Sequence, residues 1–234
     1  MKRTLIDRLL ASFNSDPFKT ADANSATGKR TFEAIHFSWY NRHCTQGHSA
    51  PADIPPALLS RAGCTQTNHG QFLLYMSRDM EDHQTVYQSL KSVFADVFGW
   101  IDDQLQMFLP GEYERLEAMA AILPGNNVSV VSPFVGLVVN LNVVTRAHRD
   151  SKDDGVCLVL PIGEFDGGEL CLVEPGLIIP LRHGEFAVFP SCDFTHFNMH
   201  YTGTHASIVL QSDREMCKWT ADDRNGWVSS NHFR

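Results

Sequence analysis

Val135-Gly-Leu-Val-Val-Asn-Leu-Asn-Val-Val-Thr-Arg-Ala-His148-Arg-Asp150 is an apolar run that ends in two metal-ligating residue types separated by one residue. Its first part, Val135 to Val144, is rich in valine and leucine and predicts a strand. Side chains at i and i+2 leave the same face of an extended chain, so His148 and Asp150 can converge. A third ligand must then come from a neighbouring strand, and His196 is the candidate. Two imidazoles and one carboxylate on one ion form the 2-His-1-carboxylate set, which holds non-haem Fe(II) and leaves positions open. Such a site requires a compact β core.

The rest of the C-terminal half agrees. Short apolar runs cover Val156 to Leu160, Glu169 to Val173, Leu177 to Leu181, Glu185 to Phe189, His196 to Tyr201 and His205 to Leu210. Turn residues divide them at Gly163, Gly167-Gly168, Pro175-Gly176, His183-Gly184 and Thr202-Gly203. Seven strands with no room for crossover helices predict an antiparallel double-stranded β-helix, or jelly-roll barrel. The N-terminal half has helical periodicity instead, over Thr4 to Phe13, Glu81 to Phe98 and Glu112 to Ile122. Gly99 stands where it would stop the longest of these helices. The expected class is therefore α+β, a jelly-roll barrel braced by N-terminal helices. We expect one domain over 1–234, with helical support and pocket-edge segments over 1–127, the barrel over 128–213 and a tail or lid over 214–234.

Other features narrow the possibilities. Thr31 to Tyr40 reads as a strand or a buried edge, with His36, Trp39 and Tyr40 as core or surface aromatics ahead of pocket lining. Asn14 to Lys29 and Gln46 to Pro56 read as loops, and Gln71 to Ser77 as a short extended piece. His43, Cys44 and His48 lack a fourth ligand nearby and make a poor second metal site. His200 shares His196's strand parity but lies about 13 Å along a straight strand, too far to bind the same ion. His83 and His183 read as surface residues. Six cysteines without a CxxC pair, two of them (Cys157 and Cys171) in apolar runs, imply buried thiols in a reducing compartment. The start has neither an unbroken apolar block nor a cleavage site, and no apolar run is long enough to span a membrane, so an intracellular protein is expected. Net charge is −8, which argues against non-specific grip of nucleic acid along the whole chain.

Four pieces together resemble the Fe(II)- and 2-oxoglutarate-dependent dioxygenases, most nearly the fungal branch of the TET/JBP family. They are NLNVVTRAHRDSKDD from Asn140, PIGEFDGGEL from Pro161, RHGEFAVFPS with THFN behind it from Arg182, and YTGTHASIVLQSD from Tyr201. The resemblance covers roughly Pro133 to Asp213. It implies that His148, Asp150 and His196 hold iron and that Asn142 and Thr145 face the pocket. It also implies that Ser207 helps to hold the far carboxylate of 2-oxoglutarate. The family's arginine two residues before that serine is His205 here. Arginine offers a permanent, bidentate fork, whereas histidine offers single donors and is charged only below about pH 6.5. Three outcomes stay open: Arg146, Arg149 or Arg182 supplies the charge, His205 binds the carboxylate weakly as imidazolium beside Ser207, or the pocket takes another reductant or no cosubstrate at all. Arg149, between two inward ligands, should point away; Arg146 is the better candidate.

By the same resemblance the substrate is a methylated nucleic acid, 5-methylcytosine in DNA above all, oxidised at its methyl group. Lys2, Arg3, Lys29, Arg30 and Arg42 are candidate phosphate contacts. A DNA substrate implies the nucleus, any other the cytoplasm. A free nucleobase or small metabolite, or a catalytically silent jelly-roll binding module, are the alternatives.

Overall fold

Strand alternation and helical stripes meet on one sheet in the computed structural model of the chain, which describes residues 2–13, 33–40, 75–121, 123, 127–214 and 216. Helix α1 spans Lys2–Phe13, strand β1 Glu33–Tyr40 and β2 Tyr75–Met76. Four helices follow: α2 Arg78–Asp82, α3 Gln84–Val93, α4 Ala95–Phe108 and α5 Pro110–Ala120. The remaining strands are β3 Gly136–Leu141, β4 Cys157–Gly167, β5 Leu170–Leu172, β6 Leu177–Ile179, β7 Ala187–Phe189, β8 His196–Asn198 and β9 Tyr201–Gln211. They form a six-stranded sheet in the order β2-β1-β3-β9-β4-β7 and a three-stranded sheet in the order β6-β5-β8. Every pairing is antiparallel. The chain is thus a mixed helix and antiparallel-sheet protein.

Two helix expectations need correction. The predicted helix over Glu81 to Phe98 is broken twice, at His83 (φ −118°, ψ 38°) and at Phe94 (φ −104°, ψ 8°), where the backbone leaves the helical region. The chain then restarts as α4 and runs through Gly99 to Phe108. The reason is packing: Phe98, Ile101 and Leu105 carry the buried stripe past the glycine, and continued burial outweighs a glycine's weak helix propensity. Helix α5 begins at Pro110, the first helical position, where proline's missing N–H costs nothing.

Residue parity in the large sheet separates core from cavity. Leu137, Val139 and Leu141 of β3, Leu158, Leu160 and Ile162 of β4, and Ala206, Ile208 and Leu210 of β9 are buried on one face. They join one cluster with Leu90, Phe94, Phe98, Ile101, Leu105 and Leu116, so the helices seal that face. The alternate residues face the second sheet. There Val159, Val209 and Val138 form one cross-strand row, and Pro161, Ser207 and Asn140 the next. These six line a cavity of about 220 Å³.

Gly163 and Gly203, both expected as strand breaks, lie inside the two longest strands. They adopt φ of 152° and 102°, and a Cβ on either would fall on a carbonyl of the partner strand, Thr204 for Gly163 and Glu164 for Gly203. The positive φ is a local device for close strand approach, and it does not end the pairing. Cys157 and Cys171 are buried free thiols, as expected. His43, Cys44, His48, Lys29, Arg30, Arg42 and both predicted loops lie outside the described residues, as does the tail apart from Arg214 and Met216. Lys2 and Arg3 stand in the first turn of α1.

Candidate metal centre

His148 is not part of a regular strand. It pairs with the first residue of β8 through reciprocal backbone bonds, His148 N to His196 O at 3.1 Å and His196 N to His148 O at 2.9 Å. That pairing sets the two imidazoles side by side, ring centroids 4.3 Å apart. Asp150 follows two residues later, its N–H donated to the Ser191 carbonyl at 3.0 Å while its own carbonyl accepts Asp153 N–H at 2.8 Å. The Asp150 carboxylate then lies 3.6 Å from His148 Nε2 and 3.4 Å from His196 Nε2. One ligand atom from each of the three falls within 4.8 Å of the others.

The histidine tautomers are fixed by the backbone. His148 Nδ1 lies 2.7 Å from the Arg146 carbonyl, and His196 Nδ1 lies 3.0 Å from the Phe194 carbonyl. A carbonyl only accepts, so each Nδ1 carries a proton; in the neutral ring this leaves the Nε2 lone pair for a metal, and in the imidazolium Nε2 donates to Asp150 instead. Burial pulls the His196 pKa down, but hydrogen bonding to Asp150 and the Phe194 carbonyl more than offsets it and leaves it above the ordinary value. His196 is buried, whereas His148 and Asp150 are half exposed, so the ligand set opens to solvent on one side.

A second layer holds the ligand segments together. The Glu174 carboxylate accepts Thr195 N–H at 2.5 Å and Thr195 Oγ1 at 2.7 Å, and receives Arg149 Nη2 at 2.5 Å. Arg149 Nε also reaches Thr195 Oγ1 at 3.0 Å. The Thr195 bonds, with Arg149, hold the Glu174 carboxyl down at about 2. One side chain therefore ties the residue before His196 to the residue between His148 and Asp150. Glu174→Ala is expected to weaken divalent metal binding by about tenfold without unfolding the chain, the scale typical of groups that orient ligands. Anaerobic Fe(II) titration checks this, and unchanged affinity would show that the network is ornamental.

The other sequence candidates are distributed differently. Thr145, His205 and Ser207 line the same cavity as the three ligands. Asn142 does not line it: the residue takes a φ of 52°, receives His205 N–H on Oδ1 at 3.2 Å and gives its own N–H to the His205 carbonyl at 2.7 Å. It clamps the backbone of position 205. Arg146 is exposed and outside the cavity lining, and its contribution here is the carbonyl under His148. Arg182 is exposed as well. His200 is exposed and outside the cavity, while His183, expected at the surface, is half-buried and accepts Gly163 N–H on Nδ1 at 2.8 Å. His36, Asn140, Asp153 and Asn198 complete the polar lining. Asn140 was the findable one, a polar residue at an inward position of an apolar strand. Asp153 is half-buried beside the site, accepts Ser191 Oγ at 2.7 Å, and desolvation pushes its carboxyl up to about 7.

No family model matches the sequence, and no curated protein matches it. Among solved structures the chain is similar to NgTET1 in complex with 5mC DNA, with 12% identity and a TM-score of 0.58 over 91% of this chain and 69% of that one. At that identity the likeness is one of fold: the chain folds as NgTET1 does. A crystal structure of an oxidoreductase of the 2OG-Fe(II) oxygenase family from Burkholderia pseudomallei overlaps 35% of this chain and 47% of that one, with 19% identity and a TM-score of 0.31.

Proposed function

We propose that this protein is an Fe(II)-dependent dioxygenase that oxidises a methyl C–H bond of a methylated pyrimidine, 5-methylcytosine in nucleic acid first among them, at the expense of a 2-oxo acid. The observation that carries the proposal is the convergence of His148, Asp150 and His196 with both Nδ1 protons committed to backbone carbonyls. The donor set fits ferrous iron: two neutral imidazoles, one carboxylate and an open side. The fold reading is a double-stranded β-helix. It is supported by the way the chain alternates between sheets, β3 in the large one, the His148 segment beside β8 in the small one, β4 back in the large one, and β9 closing beside β3.

The chain's own residues have definable tasks. His148, Asp150 and His196 would hold the iron, which supplies the oxygen chemistry needed to hydroxylate an unactivated C–H bond. The backbone carbonyls of Arg146 and Phe194 aim the imidazoles. Val138, Val143, Val159, Leu170 and Val209 give the cavity dry walls, which limit side reactions with water. In the overall balance one oxygen atom of O₂ enters the 2-oxo acid as it loses CO₂, and the other enters the methyl group as hydroxyl. For 2-oxoglutarate, the cosubstrate of the family resemblance, the near 2-oxo carboxylate suits the open side of the metal set. Its distal carboxylate finds no lysine or arginine among the described lining residues.

The nucleic-acid assignment rests on the motif resemblance and on the fold shared with NgTET1, a protein seen with 5mC DNA. Arg146 and Lys152, exposed on either side of the ligand pair, offer local phosphate contacts within an acidic chain. Action on DNA would place the protein in the nucleus, and action on a free base in the cytoplasm. Among the described residues no helix is long and apolar enough to cross a membrane. The test is mass spectrometry of 5-methylcytosine as duplex, single strand and free base after incubation with the Fe(II)-loaded chain, with a 2-oxo acid present or omitted. Hydroxymethyl product dependent on the 2-oxo acid is expected. An iron-loaded chain that oxidises none of the three overturns the substrate, and a chain that cannot take up iron leaves a silent binding module.

A further inference from the structure

The cavity beside the metal ligands contains carboxylates but, among the described residues, no cationic side chain. Its ionisable lining residues are Asp150, Asp153, the buried thiol Cys157 and the histidines His36, His148, His196 and His205. Around His205 the wall is neutral and largely apolar. The imidazole packs edge-on against Phe165 at 4.5 Å and at a 34° tilt against Tyr201 at 4.8 Å, and the next inward residue along β9 is Ser207. Asn140 spends one amide hydrogen on Ser207 Oγ at 3.3 Å. Val209 and Pro161 continue the surface. Desolvation pulls the His205 pKa down to about 4, so this imidazole is uncharged at neutral pH. The backbone clamp from Asn142 holds the residue in place from both its N–H and its carbonyl.

A second carboxylate brought here would lose its water shell and gain only neutral donors. With Asp150 and one chelating carboxylate on a divalent ion its two charges are balanced, and the described lining residues offer no further cation for another carboxylate. We propose that the wall around His205 accepts an uncharged tail, so that the preferred cosubstrate is a monocarboxylic 2-oxo acid, with His205 as the specificity-determining residue. This rests on the oxygenase reading and narrows its cosubstrate class. The reaction balance is unchanged: the acid R–CO–COO⁻ loses CO₂ and becomes R–COO⁻ by taking one oxygen atom, while the substrate methyl takes the other.

The experiment compares 2-oxoglutarate with 2-oxopentanoate, which differs only in a methyl group replacing the distal carboxylate. The full chain is loaded with Ni(II), and dissociation constants are measured by calorimetry, so binding is read without turnover. 2-Oxopentanoate is expected to bind at least about tenfold more tightly, the factor that one missing charge-assisted bond typically removes from the dicarboxylate. His205→Arg is expected to invert the order by supplying a fixed cation, and His205→Gln, which stays neutral, to preserve it. Equal or tighter binding of 2-oxoglutarate by the native chain overturns the proposal, whether or not the arginine variant folds. A metal-loaded chain that binds neither acid overturns the 2-oxo-acid oxygenase itself, a different result from a reversed preference.

Discussion

Asp150→Ala is expected to abolish stoichiometric Fe(II) binding and, with it, any oxidation of substrate. Groups that merely orient metal ligands change affinity by about 10- to 100-fold, so loss of the sole carboxylate among the three ligands should exceed that, at roughly a thousandfold or more. The fold should survive. Asp150 is half exposed, its backbone bonds to Ser191 and Asp153 do not use the side chain, and removing the carboxylate relieves repulsion with the half-buried Asp153. His148→Ala should behave similarly, because that ring is also half exposed. His196→Ala is less clean. This ring is buried and packs edge-on against Phe189 at 5.0 Å, so a stability cost of about 1–3 kcal/mol accompanies the lost ligand. Iron content, anaerobic titration and a thermal melt on each variant separate the two effects. An Asp150→Ala protein that keeps one tightly bound iron and full activity would remove the carboxylate from the site.

The ligand trio could be read from the chain because its geometry is local plus one long-range pairing: HxD places two groups on one face, and a third histidine opens a strand. The surrounding cavity could be read only in part. Ser207 and His205 were reached through the family resemblance; strand parity would have made both inward, and Asn140 with them, once the apolar run was taken as a wall with two faces. Asn142 escaped because its φ of 52° takes it out of the strand, so parity no longer says where the side chain goes. Arg146 escaped for a different reason. Nothing in a sequence shows that a residue's carbonyl, rather than its side chain, is what the neighbouring histidine uses. The helices were located by their stripes but misdivided, since glycine and a bulky aromatic carry opposite local signals and packing overruled both at Gly99 and Phe94.

Those misread glycines yield opposite expectations. Gly99→Ala should stabilise the protein by about 0.5–1 kcal/mol, because the position is mid-helix and a Cβ there meets nothing within 4 Å. Gly163→Ala should destabilise it by more than about 3 kcal/mol, combining a disfavoured φ with a collision against backbone that cannot rotate away. For a chain of this length that is roughly 6–12 °C in Tm against a small rise for the helix variant. The effect should also reach the site. Gly163 lies opposite His205, and Gly203 opposite Phe165, so the two glycines bracket the Glu164–Thr204 rung and let β4 and β9 close to their observed register. Pushing the strands apart there displaces His205 before it touches the metal ligands, since His148 and His196 are held by bonds to each other. Any folded Gly163→Ala protein should therefore keep its metal affinity while losing discrimination between the two 2-oxo acids. If the alanine is accommodated with no loss of stability, the close approach of these strands is not what shapes the cavity wall.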